Sequence, residues 1–150
     1  MSERLIMIKV VIDTNLFVSA LLGGGKPAQL IEAWRAQEFS LVVSEKLLAE
    51  LFDVLRRPKL SRYFRQEDVI SLGELILERA EIVIPEKQLS LCHDPKDNFL
   101  LDIAVAGNAH YLVTGDGDFL DDEILKEAMQ GDHAVKIVSV STFLDIFQQK

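Results

Sequence analysis

At 150 residues, with 49% hydrophobic and 27% charged residues, the chain has the size and composition of one globular domain without a linker. No apolar run approaches the roughly 18 residues that a membrane span needs, and the opening MSERLIM lacks the apolar core of a signal peptide, so a cytoplasmic protein outside the membrane is expected. The net charge of -8 argues at first sight against a nucleic-acid partner, and a single cysteine, Cys92, excludes an internal disulfide.

Residues 1–6 carry no periodicity and are expected to be a frayed N-terminal extension of a single domain over 1–150. Val10, Val11 and Ile12 then form a short β-branched run without polar alternation, the pattern of a parallel strand buried on both faces. Asp13 stands where that strand leaves the sheet. Ligands of open α/β sheets collect outside such carboxyl ends, yet Asp is also a common cap for a helix like the one expected over 16–22. Both readings stay open at this point. Gly23 to Gly25 break that helix, and Pro27 opens another that runs to about Gln37 with Leu30, Ile31 and Trp34 on one face. The GGGK run lacks the spacing of a phosphate loop, which leaves a loop with Lys26 as a phosphate contact to test.

A second strand is expected over 40–43, and Ser44 is placed to cap a helix over 45–56. Leu47, Leu48, Leu51, Val54 and Leu55 make its buried stripe, and Glu50 falls at the edge, half-turned toward the core. Pro58 stops the helix. Arg56, Arg57, Lys59, Arg62 and Arg65, five of the sixteen basic residues, crowd the window RRPKLSRYFR with Tyr63 and Phe64 among them. That is a basic patch with aromatics, readable as a nucleic-acid surface or as a solvated helical one. Residues 67–80 read as an amphipathic helix with Val69, Leu72, Ile76 and Ala80 inward, and 82–84 as a third strand closed by Pro85.

Cys92 and His93 are too few for a zinc set. Asp94 and Pro95 favour a turn, after which 98–108 is apolar almost all round, as in a helix packed on a sheet, with Asp102 on an exposed strip beside Asn98. Asp97 opens that helix, where the dipole favours a carboxylate. Tyr111 to Val113 repeat the strand pattern, and Thr114, Gly115, Asp116, Gly117 and Asp118 form a turn at its carboxyl end, mirroring Asp13. The turn fits neither a dinucleotide fingerprint, which wants glycine where Leu120 stands, nor a calcium loop. Asp121 to Glu123 begin a helix through Leu125 and Met129, a fifth strand covers 135–138, and a helix over 142–148 closes the chain.

Strands alternating with helices imply a doubly wound α/β parallel sheet whose strand exits share one edge. Asp13, Asp97, Asp116 and Asp118 lie at exits or helix starts, within reach of Glu50. Two charges 4 Å apart repel by roughly 4 kcal/mol at an effective dielectric near 20, so such a cluster calls for a divalent cation. Oxygen ligands without histidine suit Mg²⁺ or Mn²⁺ and phosphoryl chemistry.

The segments VIDTN, SEKLLAEL, LRRPKL, DPKDNFLLDIA and LVTGDGDFL, in this order across nearly the whole chain, resemble the PIN-domain ribonucleases, in particular the bacterial and archaeal toxins of toxin–antitoxin pairs. The resemblance implies a three-layer α/β/α fold with a five-stranded parallel sheet in the order 3-2-1-4-5. It carries the metal-binding, catalytic acids onto Asp13, Glu50, Asp97 and Asp116, with Asp118 as a more variable fifth metal ligand and Asn15 and Thr114 as supports. It further implies single-stranded RNA as substrate, with Arg56, Arg57, Lys59 and Arg62 on the RNA backbone or an acidic partner, an antitoxin protein, and a homodimer. A non-catalytic RNA- or protein-binding module is the alternative. An aspartyl phosphatase with Asp13 as nucleophile is a weaker one, because that chemistry wants a second acid where Asn15 stands.

Overall fold

The protein is described by a computed structural model over residues 7–92 and 97–148; the expected extension over 1–6, His93 and the Asp94–Pro95 turn lie outside the described residues. Strands β1 (Lys9–Ile12), β2 (Ser40–Val43), β3 (Glu81–Ile82), β4 (Tyr111–Val113) and β5 (Lys136–Val138) form an all-parallel sheet in the order β3-β2-β1-β4-β5. Val10, Val11, Ile12, Leu41, Val42, Leu112 and Val113 are sealed from solvent, which is why these runs are apolar without alternation.

The helices are α1 (Thr14–Gly23), α2 (Gly25–Arg35), α3 (Glu45–Leu55), α4 (Pro58–Ser61), α5 (Gln66–Arg79), α6 (Asn98–Ala106), α7 (Gly117–Leu120), α8 (Glu123–His133) and α9 (Val140–Gln148). Right-handed crossovers assign α1–α5 to one face and α6 and α8 to the other. α6 packs across β2, β1 and β4, while α1 lies against α2 and α3, and α9 against α2. From β1 the chain steps outward through β2 to β3, then crosses back to β4 on the far side of β1. The direction of winding therefore reverses between β1 and β4, and a crevice opens outside their carboxyl ends.

Several elements differ from their expected bounds for local reasons. Gly24, at φ 85° and ψ -135°, adopts a backbone state that side chains disfavour, so α1 and α2 follow one another with almost no loop and α2 starts before Pro27. Pro58 does not merely end α3; it sits at the first turn of α4, where a missing N–H costs nothing. The turn after β4 winds into α7. β3 covers Glu81–Ile82 rather than 82–84: Val83 N–H still donates to the Val43 carbonyl at 2.8 Å, but Ile84 is 83% exposed and Pro85 carries no donor.

The chain then runs over 83–92 without regular structure, and its N–H groups need acceptors. α6 supplies them. Asp102 accepts from Leu89 N–H at 2.7 Å, and the buried Asn98 carbonyl accepts from Leu91 and Cys92 N–H at 3.0 and 2.8 Å. Asp102 is thus half-buried and employed, not part of an exposed strip.

Candidate metal centre at the β1–β4 switch point

Asp13 and Asp116 leave adjacent parallel strands and use the same local device. The Asp13 carboxylate accepts the Asn15 N–H at 3.3 Å and so caps α1, and that of Asp116 accepts the Asp118 N–H at 2.9 Å and caps α7. Thr114 ties the two together. Sealed from solvent, it donates its hydroxyl to Asp13 at 2.8 Å while that hydroxyl accepts the Asp116 N–H at 3.1 Å. Capping and site reading, opposed in the sequence, are one arrangement here: a cap satisfies one oxygen of Asp13, and the carboxylate still faces its acidic neighbours.

Asp13 is only 7% exposed. Burial is the largest cause holding its pKa above the ordinary 3.8; the bonds from Thr114 and Asn15 pull it down, and the charges of Asp116 and Glu50 push it up. Glu50 reaches this centre from α3, where Thr14 donates its hydroxyl to the Glu50 carboxylate at 2.9 Å. Its carboxylate is exposed, not turned into the core. Asp97, half-buried at the start of α6, completes the opposite wall: one carboxylate oxygen each of Asp97, Asp116 and Asp118 lies within 4.8 Å of the others. Asp97, Asp116 and Asp118 thus form one group of ligand oxygens, to which Asp13 is joined through Thr114 and by charge, with Glu50 beside it.

Of the expected supports, Thr114 binds as described, whereas Asn15 contributes its backbone N–H and carries an exposed side chain. Thr14 is an unexpected third member. Lys26 does not point to this centre but donates to Ser141 at 2.7 Å, linking α2 to α9. Arg56, Arg57, Lys59 and Arg62 are exposed at the far end of α3 and on α4, with Arg56 roughly 9 Å along the helix axis from Glu50. Arg57 pairs with Asp53 at 3.5 Å, and the Arg62 guanidinium lies 5.1 Å from the Tyr63 ring centre.

Whether the crevice suits a divalent cation is decided by its charge balance. Among the described residues, none of Asp13, Glu50, Asp116 and Asp118 forms an ion pair with Lys or Arg. The donor set is all oxygen, which fits Mg²⁺ or Mn²⁺.

Comparison with known proteins agrees with this architecture. The sequence model of the PIN domain matches residues 9–118, a span that holds all five acids. The chain is also 30% identical over 117 residues to the uncharacterized protein MJ1680 of Methanocaldococcus jannaschii, covering 77% of this chain and 75% of that protein. With its switch-point acids inside the matched span, the chain belongs to the PIN-domain family.

Proposed function

We propose that the protein is a metal-dependent endoribonuclease that hydrolyses single-stranded RNA, acting as the toxin of a toxin–antitoxin pair. The observation that carries this reading is the convergence of Asp97, Asp116 and Asp118 oxygens within 4.8 Å, beside Asp13 and Glu50. Proteins of the PIN-domain family are generally nucleases that use divalent metals. Asp13, Glu50, Asp97 and Asp116 would hold one or two Mg²⁺ or Mn²⁺ ions, with Asp118 completing the set. Such an ion supplies positive charge that polarises a phosphodiester and lowers the pKa of an attacking water.

The chain's own residues then prepare the site. Thr114 fixes the Asp13 carboxylate and Thr14 that of Glu50, so both acids meet the cation already oriented. The basic window at the end of α3 would hold the RNA backbone outside the crevice. In this reading the protein works in the cytoplasm as a homodimer, held inactive by an antitoxin.

The test is cleavage of a labelled single-stranded RNA in Mn²⁺, Mg²⁺ or EDTA. Cleavage is expected only with divalent metal, and Asp116→Asn is expected to lose at least about 100-fold while keeping its circular dichroism spectrum. Activity that survives EDTA or that substitution would overturn the nuclease reading. Induced expression that arrests growth with the parent, and not with Asp116→Asn, tests the toxin role separately.

A further inference from the structure

A cavity of about 270 Å³ opens between α3, α6 and the strap over 83–92, and none of the five acids of the metal centre lines it. It shares both helices with the metal centre. Lys46 on its wall lies one turn before Glu50 on α3, so the two side chains share a helix face. The Lys46 ammonium sits 4.8 Å from the centre of the Phe99 ring. Lys87, from the strap, also lines the cavity. Neither lysine has an acidic partner among the described residues. Asp102, which could repel an anion here, turns its carboxylate to the Leu89 N–H, and in doing so fixes the strap as a wall. Glu45, the remaining acid of the lining, is exposed on the first turn of α3.

Two lysines that pair with no acid among the described residues and an aromatic ring, with Lys46 one helical turn from Glu50, match the chemistry of a nucleotide. A ring gives a base a surface to stack on, whatever its sequence, and each lysine offers a phosphate a point charge. The volume, just under the roughly 300–1,000 Å³ of small-molecule sites, admits no more than about one nucleotide and excludes a duplex. Resting on the nuclease reading above, we propose that this cavity is a substrate subsite that takes one unpaired nucleotide flanking the scissile bond, its base against Phe99 and its phosphate against Lys46 and Lys87.

The test measures binding of a fluorescent single-stranded hexaribonucleotide by anisotropy in EDTA, across a salt series, beside cleavage in Mn²⁺. Phe99→Leu is expected to weaken binding roughly 5- to 100-fold, the effect of losing one stacked base, with the salt slope unchanged. Lys46→Gln and Lys87→Gln are each expected to lower the slope of log affinity against log salt by about 0.7, the share of one phosphate on a single strand. Binding of the same sequence as a duplex should not respond to Phe99→Leu. Should Phe99→Leu fold poorly, Lys46→Gln at an exposed helical position decides alone. If all three variants bind with the parent's affinity and slope while the parent cleaves, the nucleotide sits elsewhere and the nuclease reading stands. If the parent neither binds nor cleaves RNA, both fall.

Discussion

Asp13 carries a cost that the folded chain accepts for the sake of its site. Its pKa is raised above 3.8, mainly by burial. A group whose folded pKa lies above its unfolded one stabilises the fold below the unfolded value and loses that contribution as pH rises through the folded value. Without metal, Asp13 therefore weakens the protein at neutral and alkaline pH. In EDTA at pH 8, Asp13→Asn is expected to melt above the parent, the gap closing as pH falls toward 4; Mn²⁺ is expected to raise the variant's melting temperature less than the parent's, and cleavage to be lost. A variant that melts lower in EDTA and gains as much from Mn²⁺ would make Asp13 a cap alone. Asp13, Asp97, Asp116 and Asp118 could be singled out in the sequence because each sits at a strand exit or helix start, whereas Glu50, in the middle of α3, was carried into the ligand set only by the resemblance. Thr14 could not be singled out. Its bond to Glu50 joins residues 36 apart, and a threonine at a helix start has many commoner uses. Asp102 misled for the opposite reason, since a helical wheel cannot see the strap whose N–H group that carboxylate accepts.

At the scale of elements, strand positions were legible because buried parallel strands write themselves as short β-branched runs, and alternation with helices implied a parallel sheet, whereas the order 3-2-1-4-5 came with the resemblance to the PIN-domain ribonucleases. The edge strand was read less well, for Ile82 to Ile84 look alike in sequence while the first alone lies in paired strand. Two contacts that no pattern shows give predictions. Gly107 follows α6, and a Cβ there would run into the Val42 Cγ1 on β2, which is sealed in the core and cannot step aside. Gly107→Ala is expected to destabilise by about 1–3 kcal/mol, a drop of roughly 2–10 °C for a chain of this size. An unchanged melting temperature would mean that Val42 repacks. Ala134 closes α8 in the left-handed region at φ 57°, where a Cβ is strained and glycine is the usual residue. Ala134→Gly is expected to stabilise by about 0.5–1 kcal/mol, read as a melting temperature higher by roughly 1–4 °C.

Across the whole molecule, charge is separated rather than merely negative. The net charge of -8 includes the five acids of the candidate centre, with Asp121, Asp122 and Glu123 close behind in sequence, whereas five of the sixteen basic residues fall in one window at the end of α3. Without metal, a nucleic acid approaching such a surface is repelled at the crevice and attracted at the window, so the window is expected to add phosphate contacts to those proposed for Lys46 and Lys87 if RNA is the substrate. The structure refines which residues can do so. Arg57 shares its charge with Asp53 at 3.5 Å in an exposed pair worth little, and Arg65 with Glu67 at 2.9 Å, while Phe64 packs against the core and Tyr63 stands 60% exposed beside Arg62. An exposed helical pair opens readily, so Arg57 still counts toward a phosphate. Changing Arg56, Arg57 and Lys59 together to Gln is expected to weaken binding of single-stranded RNA at low salt and to flatten the slope of log affinity against log salt by about 2, or 0.7 for each lost contact. The fold should be indifferent, because all three side chains are exposed. The experiment is a salt titration of parent and triple variant in EDTA, with melting curves beside it. An unchanged slope at unchanged stability would move the RNA path off this end of α3 and leave the window as a solvated surface or a docking site for an acidic protein.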